Sequence, residues 1–330
     1  AAASNTSCPE ASDHTMKRML HLFFTGFAMG SADIVPGVSG GTIAFIFGIY
    51  KELVDSIKHV SGETLALLLK GQVRQAIAGV PFAFLVPLVL GIGAAVITLA
   101  NVLSRLLEDH PVYVWSFFFG LVLASVLVVR KRVTHWTPPK IALLLAAALG
   151  AYLLVGAVPV ETPETALAFF LSGSIAIIAM ILPGVSGSFI LVLLGKYEQV
   201  LAAVTDRDIV TLLLIIAGAA LGLALFSRIL SWLFAKHHDL AIAVLTGFML
   251  GSLRKIWPWK EVMSTRINRH GDEVPLHEVN ILPPAWDETV LLAVFLAGLA
   301  IVLILYLESL QTTREQQHTG PERLDVPDSL

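Results

Sequence analysis

From Pro81 to Ser104 the chain runs for 24 residues without a charged side chain. A helix of that length rises about 36 Å, enough to cross the roughly 30 Å hydrocarbon core of a bilayer. Similar apolar runs recur at 81–107, 112–129, 141–158, 209–234, 240–253 and 289–307. With 56% hydrophobic and only 14% charged residues, the balance excludes an ordinary water-soluble fold. It points to an all-α polytopic membrane protein. A net charge of −3 gives no case for nucleic-acid binding. The single cysteine, Cys8, excludes an internal disulfide or a cysteine metal cluster. Metal-ligand spacings, P-loops and dinucleotide fingerprints are missing from the sequence, so neither metal nor cofactor is expected.

Two apolar units are interrupted by the same polar, glycine-rich word. "DIVPGVSGGT" spans Asp33–Thr42, and "MILPGVSGSF" spans Met180–Phe189, 147 positions later. Each break separates short helical arms, which predicts two hairpins, at 19–57 and 165–204, that enter and leave the membrane on one side. Residues 61–79, which mix "LALLL" with Lys70 and Arg74, suit a helix lying at the interface. At the same offset Gly26, Ile43, Gly48 and Tyr50 match Gly173, Ile190, Gly195 and Tyr197. At an offset of 127, "LSRLLEDH" from Leu103 faces "LSWLFAKH" from Leu230, and "GLVLAS" from Gly120 faces "GFMLGS" from Gly247. The expected organisation is a duplication: repeat 1 at 16–158 and repeat 2 at 165–310, with a polar loop at 254–287. Residues 1–15 read as a non-native or disordered segment, and 311–330 as a disordered tail.

Parity sets the orientation of the copies. A hairpin crosses an even number of times and three spans follow it, so the second repeat is expected to be inverted. Short loops agree: Lys17, Arg18, Lys51, Lys58, Lys70, Arg74, Arg130, Lys131, Arg132 and Lys140 fall on one side, against Glu108, Asp109, Glu161 and Glu164 on the other. That places the N-terminus in the cytoplasm. One loop disagrees, because Arg254, Lys255, Lys260, Arg266 and Arg269 land outside. Its acids Glu261, Asp272, Glu273, Glu278 and Asp287 dilute that charge, and the basic cluster could instead meet anionic lipid there.

Inverted repeats with paired broken helices point to a transport site near the membrane midplane. Non-helical backbone at that depth is tolerated only inside protein or along a wet cavity. A helix starting after each break exposes free N–H groups and the positive end of its dipole, which suits an anion. Ser39, Gly40, Gly41, Thr42, Ser186, Gly187 and Ser188 are therefore the candidate phosphate-binding residues, with Pro36, Gly37, Pro183 and Gly184 forming the turns. Small residues there would equally suit close helix packing. Arg228, deep in its span, is a further phosphate candidate or else a structural ion-pair partner for Asp33. Asp33 faces Met180 in the second copy, and an unduplicated acid suits a proton-coupling group or a helix-end acceptor of backbone N–H bonds. Lys51 and Lys196 could attract a headgroup or be solvated helix ends. Arg105, Glu52, Tyr50 and Tyr197 complete the polar set near the hairpins. Trp257 and Trp259 suit an interfacial aromatic belt.

"GSADIVPGVSGGTIAFIFGIYKELVDSI" and "AMILPGVSGSFILVLLGKYEQVL" resemble the two signature segments of the DUF368 membrane proteins, a family that includes bacterial undecaprenyl phosphate translocases. The resemblance covers about Met16–Leu310. It implies a carrier in the bacterial inner membrane that returns undecaprenyl phosphate from the outer to the cytoplasmic leaflet for envelope glycan synthesis. It also implies that Asp33, Pro36–Thr42 and Pro183–Ser188 belong to the functional core. The partners expected are the polyprenyl phosphate, membrane lipid and a possible second copy of the chain. Two alternatives stay open. An integral membrane undecaprenyl pyrophosphate phosphatase shares hairpins of this kind, although Gly40 and Gly187 stand where its motif has arginine. A small-anion transporter would need no polyprenyl tail.

Overall fold

The computed structural model describes residues 9–35, 38–64, 66, 67, 70–160, 162–267 and 273–318. The chain is mostly helical: α1 Pro9–Ile34, α2 Gly40–Ile46, α3 Tyr50–His59, α4 Val73–Gly79, α5 Phe82–Asp109, α6 Pro111–Val129, α7 Pro138–Val155, α8 Ala166–Ile181, α9 Gly187–Leu193, α10 Tyr197–Thr205, α11 Ile209–Lys236, α12 His238–Ser252 and α13 Glu288–His318. Among the described residues five helices are long and apolar enough to cross a membrane, or six if α9 and α10, bent by 105°, count as one span. The expected span at 240–253 is the 15-residue α12, below that length.

Local chemistry sets the boundaries. Pro111 and Pro138 stand at the first turns of α6 and α7, where no amide is lost. Thr165 caps α8 by accepting from the Ala168 amide, and Asp208 caps α11 by accepting from Val210 and Thr211. Four expectations are corrected. Helix α1 begins at Pro9, inside the segment expected to be unordered, and α13 continues to His318 instead of stopping near 307. Residues 61–79 are not one helix but a π-helical turn at Val60–Thr64 and the short α4. The polar loop 254–287 folds in its centre into an antiparallel hairpin, β1 Lys260–Ile267 against β2 Glu273–Asn280. Its base is held where Trp257 Nε1 donates to the Ile281 carbonyl and the Trp257 ring meets Phe119 edge-on. Trp257 thus packs against α6 as well as suiting an interface.

The helices pack in four close pairs: α1 with α5, α8 with α11, α6 with α13 and α7 with α12. Glycine makes each pair possible. A β-carbon on Gly26 would run into the Leu88 carbonyl, and one on Gly173 into the Ile215 carbonyl. Gly91 meets Phe23 in the same way, and Gly218 meets Phe170. These contacts are related by the 147 and 127 offsets read in the sequence. Gly120 lies against Ala297 and Gly247 against Leu144, so the later helices of each half exchange partners. With no hydrophobic drive between helices in lipid, this backbone-to-backbone fit is what holds the pairs.

The hairpins recur in detail. Helices α2 and α9 each have seven residues, and each ends in a turn at a left-handed glycine, Gly48 (φ 75°) or Gly195 (φ 64°). The Ile49 amide donates to Ala44 and the Lys196 amide to Leu191, again 147 apart. In the first half Arg18 binds Glu52 at 2.5 Å, tying α1 to the start of α3. In the second, Gln199 donates to Glu164 at 2.6 Å, tying α10 to the residue before α8. The Gly48 turn lies by Arg132, which donates to the Ile46 carbonyl ahead of α7. The Gly195 turn lies by the segment after α7, where the Val160 amide donates to Leu193. The 18 residues of α7, about 27 Å of helix, separate the two.

Gly26→Ala and Gly173→Ala should each destabilise the folded protein by about 1–3 kcal/mol, because the added carbon meets a partner helix's backbone. Gly93→Ala and Gly150→Ala, with nothing within 4 Å of the added carbon, should leave stability unchanged or raise it through helix propensity. Thermal melts of the detergent-purified variants distinguish the two sets.

Candidate functional site

At the first break α1 ends at Ile34 and α2 starts at Gly40; Pro36 and Gly37, the expected turn residues, lie outside the described residues. Ser39 takes the extended backbone of an N-cap, and its Oγ accepts from the Gly41 amide at 3.1 Å. The Thr42 amide donates to the Ser39 carbonyl at 2.9 Å. Asp33 reaches back from the last turn of α1, and its Oδ1 accepts from the Gly40 amide at 2.6 Å. The leading amides of α2 are thus satisfied from within, with Asp33 standing where an external anion was expected. This is the helix-end role weighed for Asp33, and no ion pair with Arg228 forms among the described residues. Thr42 Oγ1 is fully buried and has no hydrogen-bond partner among the described residues, a costly state for a hydroxyl.

The second break differs. Gly184 is left-handed (φ 92°), and a β-carbon there would lie 2.6 Å from Ser252 Oγ, so only glycine fits beside α12. Ser186 stands at the N-cap of α9 with extended backbone but makes no capping bond. Its hydroxyl instead meets Ser188 Oγ at 2.8 Å. Met180, at the position equivalent to Asp33, has no side-chain oxygen to offer. The start of α9 is therefore left uncapped by side chains.

The two breaks touch. Ser39 Oγ donates to the Met180 carbonyl at 3.4 Å, and Tyr50 Oη donates to the Ile181 carbonyl at 2.9 Å. A β-carbon on Gly41 would lie 3.0 Å from that same Ile181 oxygen. The end of α8, which has no helical partner for its last carbonyls, is thereby capped by the first hairpin. Tyr50 is buried between Phe45 and Phe234. Tyr197, its equivalent, lines an open cavity instead.

Three cavities border elements that adjoin this junction. One, of about 630 Å³, is lined by Asp55, Lys58, His59, Glu63 and Arg228. Arg228 therefore faces the turn after α3, with its guanidinium 3.1 Å from the point where a Gly62 β-carbon would sit, and is not brought to either break. Lys51 and Glu52 line a neighbouring cavity of about 480 Å³. Arg105 lines none of these cavities. Lys196 is neither a headgroup attractor nor a solvated helix end: it is fully buried, donates to the Thr162 and Pro163 carbonyls at 3.0 Å each, and lies 4.7 Å from the centre of the Phe169 ring.

A third cavity, of about 300 Å³, opens beside Ser188 and Tyr197 on the side of the Gly195 turn. Arg254, Lys255 and Lys260 line it together with Glu278. In the sequence these cations stood out only by breaking the charge rule; the fold gathers three of them beside the second break. Burial brings the Lys260 ammonium down to about 8, with Glu278 opposing that pull and Lys255 adding to it.

Lys196→Met should take the donor from the Thr162 and Pro163 carbonyls, which sit nearer the surface, and lower stability by about 1 kcal/mol. Lys51→Met, on an exposed helix start, should not. A melting comparison of the two variants checks the structural role.

The chain matches a family model described as undecaprenyl phosphate translocase-like over residues 29–274. It is 44% identical over 299 residues, 88% of this chain and 96% of the relative, to a polyprenyl-phosphate transporter of Vibrio cholerae serotype O1. A polyprenyl-phosphate transporter of Staphylococcus aureus is 31% identical over 251 residues, 71% of this chain and 84% of that protein. No solved structure matches the chain. Both relatives are named as transporters and not as phosphatases. With three quarters of its length under the family model and a near full-length relative at 44% identity, the chain belongs to the undecaprenyl phosphate translocase-like family.

Proposed function

We propose that this protein carries undecaprenyl phosphate from the outer to the cytoplasmic leaflet of the bacterial inner membrane, through a path that runs past the two helix breaks. The observation that carries this reading is the contact between the breaks, Ser39 to Met180 and Tyr50 to Ile181, with cavities along the elements that follow each break. Membership of the translocase-like family supplies the substrate class. Two inverted repeats with re-entrant hairpins are the architecture of this reading. It is supported by the recurrence of Gly48 and Gly195, by the ties that return each hairpin to its start, and by the two turns lying at opposite ends of α7.

A phosphate monoester carries about −1.5 to −2 charges near neutral pH, and crossing hydrocarbon bare is prohibitive. The polyprenyl tail stays in lipid while the headgroup moves through protein. Ser186, Gly187 and Ser188 receive it at the uncapped start of α9. Ser39, Gly40, Gly41 and the unpaired Thr42 hydroxyl lie across the junction. There Asp33 holds the Gly40 amide. Protonating Asp33 weakens that bond and frees the amide for phosphate, so a proton and the headgroup are taken up together at one site. Rocking of the α1–α5 pair against the α8–α11 pair then exposes the headgroup to either side in turn.

The test is a leaflet-resolved assay of undecaprenyl phosphate in proteoliposomes, with and without a pH gradient. Wild type should speed redistribution, and the gradient should change its rate. Asp33→Asn should fold, retain a slower flux and lose the response to the gradient. A full response in that variant would remove Asp33 from coupling, and a wild type that never exceeds protein-free vesicles would remove the transport reading.

A further inference from the structure

We propose that the cavity bounded by Arg254, Lys255 and Lys260 is a phosphate monoester site, where a headgroup docks before it reaches the second break. The source of the ligand, a polyprenyl phosphate, rests on the transport reading above; the site itself rests on its own geometry.

The charge is suited to a phosphate. Among the described residues, the charged lining groups are three cations and one carboxylate, Glu278, which leaves two uncompensated positive charges. That matches a phosphate monoester dianion. Glu278 does not hold the lysines tightly, since its Oε2 lies 3.6 Å from Lys255 Nζ and 3.5 Å from Lys260 Nζ. Tight N–H···O bonds fall near 2.7–3.2 Å, so both ammoniums retain donors for a stronger acceptor.

Each cation is backed by an aromatic ring. Arg254 lies 4.4 Å from the Tyr152 centroid, Lys260 4.5 Å from Trp115 and Lys255 5.1 Å from Phe189. Rings on one side attract the cations without neutralising them. Arg254 is further fixed by donating to the Tyr152 carbonyl at 3.0 Å. Gly156 makes room for it, because a β-carbon at that position would collide with the guanidinium. Asn280 donates to the Arg254 carbonyl at 2.9 Å and anchors the strand end to the same loop. Three cations pre-positioned by packing, with a single loosely shared carboxylate, form a poor salt-bridge cluster and a good anion receptor.

Size and polarity narrow the ligand. About 300 Å³ lies at the small end of ligand pockets, enough for a headgroup and not for a polyprenyl chain. The remaining wall includes Val155, Phe189 and Val192, an apolar side that suits the first isoprene unit. Ser188 lies on this wall, so the site is continuous with the second break. The first break contributes none of the lining residues, and this gives the two ends of the path different roles.

Lys260 gives the site a pH dependence. It faces Lys255 and Glu278 among charged groups, with Arg254 and Tyr197 also on the cavity wall. Its ammonium, brought down to about 8, is charged below that pH and neutral above it. A phosphate monoester has its second pKa near 6 and remains a dianion from pH 7 upward. Affinity should therefore fall as pH rises from 7 to 9.5.

The experiment is calorimetric titration of the full chain in detergent with farnesyl phosphate and, separately, with inorganic phosphate. Lys260→Gln and Lys255→Gln should each weaken farnesyl phosphate at pH 7 by about tenfold or more. Glu278→Gln should bind as tightly as wild type or more tightly, the opposite of what a purely structural salt bridge predicts. Wild type should weaken several-fold between pH 7 and 9.5, and Lys260→Gln should lose that change. Thermal melts confirm that each variant is folded, with Lys255→Gln serving if Lys260→Gln is not. Tighter binding of farnesyl phosphate than of inorganic phosphate assigns the site to a lipid headgroup, and equal binding assigns it to free phosphate. Affinities indifferent to both lysine substitutions would overturn the proposal. Transport stands separately: flipping without this binding refutes the site alone, and binding without flipping refutes the transport reading alone.

Discussion

The bond from the Gly40 amide to Asp33 settles a problem that the rest of the structure is arranged around. A helix interrupted inside the protein, as at the buried start of α2, leaves peptide groups that water cannot reach, and each must find a partner in protein. At the first break Asp33 and Ser39 supply those partners from within the hairpin. At the end of α8, Ser39 and Tyr50 supply them from the other half of the molecule. The two halves are thus bound together through the groups their own breaks leave open. Glycine contacts bring the long helices close enough for this to happen.

The correspondence between residues 147 apart is most informative where it fails. Backbone geometry is preserved across the 147 offset, in helix length, in left-handed glycines and in turn bonds. Side chains are not. Asp33 answers to Met180, so one helix start carries its own anion and the other carries none. Tyr50 closes on a carbonyl while Tyr197 faces a cavity. Similar backbone thus carries different side chains at the two breaks.

Much of this was legible in the sequence because proline and glycine are constrained letters. "PGVSG" written twice, with Gly48 and Gly195 at the same offset, marks backbone events that few other residues permit. Gly26 and Gly173 also match at that offset, and only the fold shows that they, with Gly91 and Gly218, sit at helix crossings. What escaped were roles decided by distant partners. Lys196 reads as a solvated helix end, but the loop at Thr162 and Pro163 folds over it and presents two carbonyls. Arg228 reads as a deep phosphate ligand, but α11 aims it at the turn after α3. The basic cavity draws on the segment after α12, a strand pair and α9. The strand pair went unread because its eight-residue strands sit in a charged stretch whose polarity resembles a loop.

The central claim is that the two breaks join cavities open to opposite sides of the membrane. Cysteine labelling in sealed, right-side-out vesicles tests it most directly, in a Cys8→Ser background, with Ser188→Cys beside the second break and Ala66→Cys in the cavity of Arg228. The account predicts that a membrane-impermeant maleimide added outside modifies Ser188→Cys, that farnesyl phosphate protects it, and that Ala66→Cys reacts only after the vesicles are opened. Reaction of both positions from the same side would contradict it.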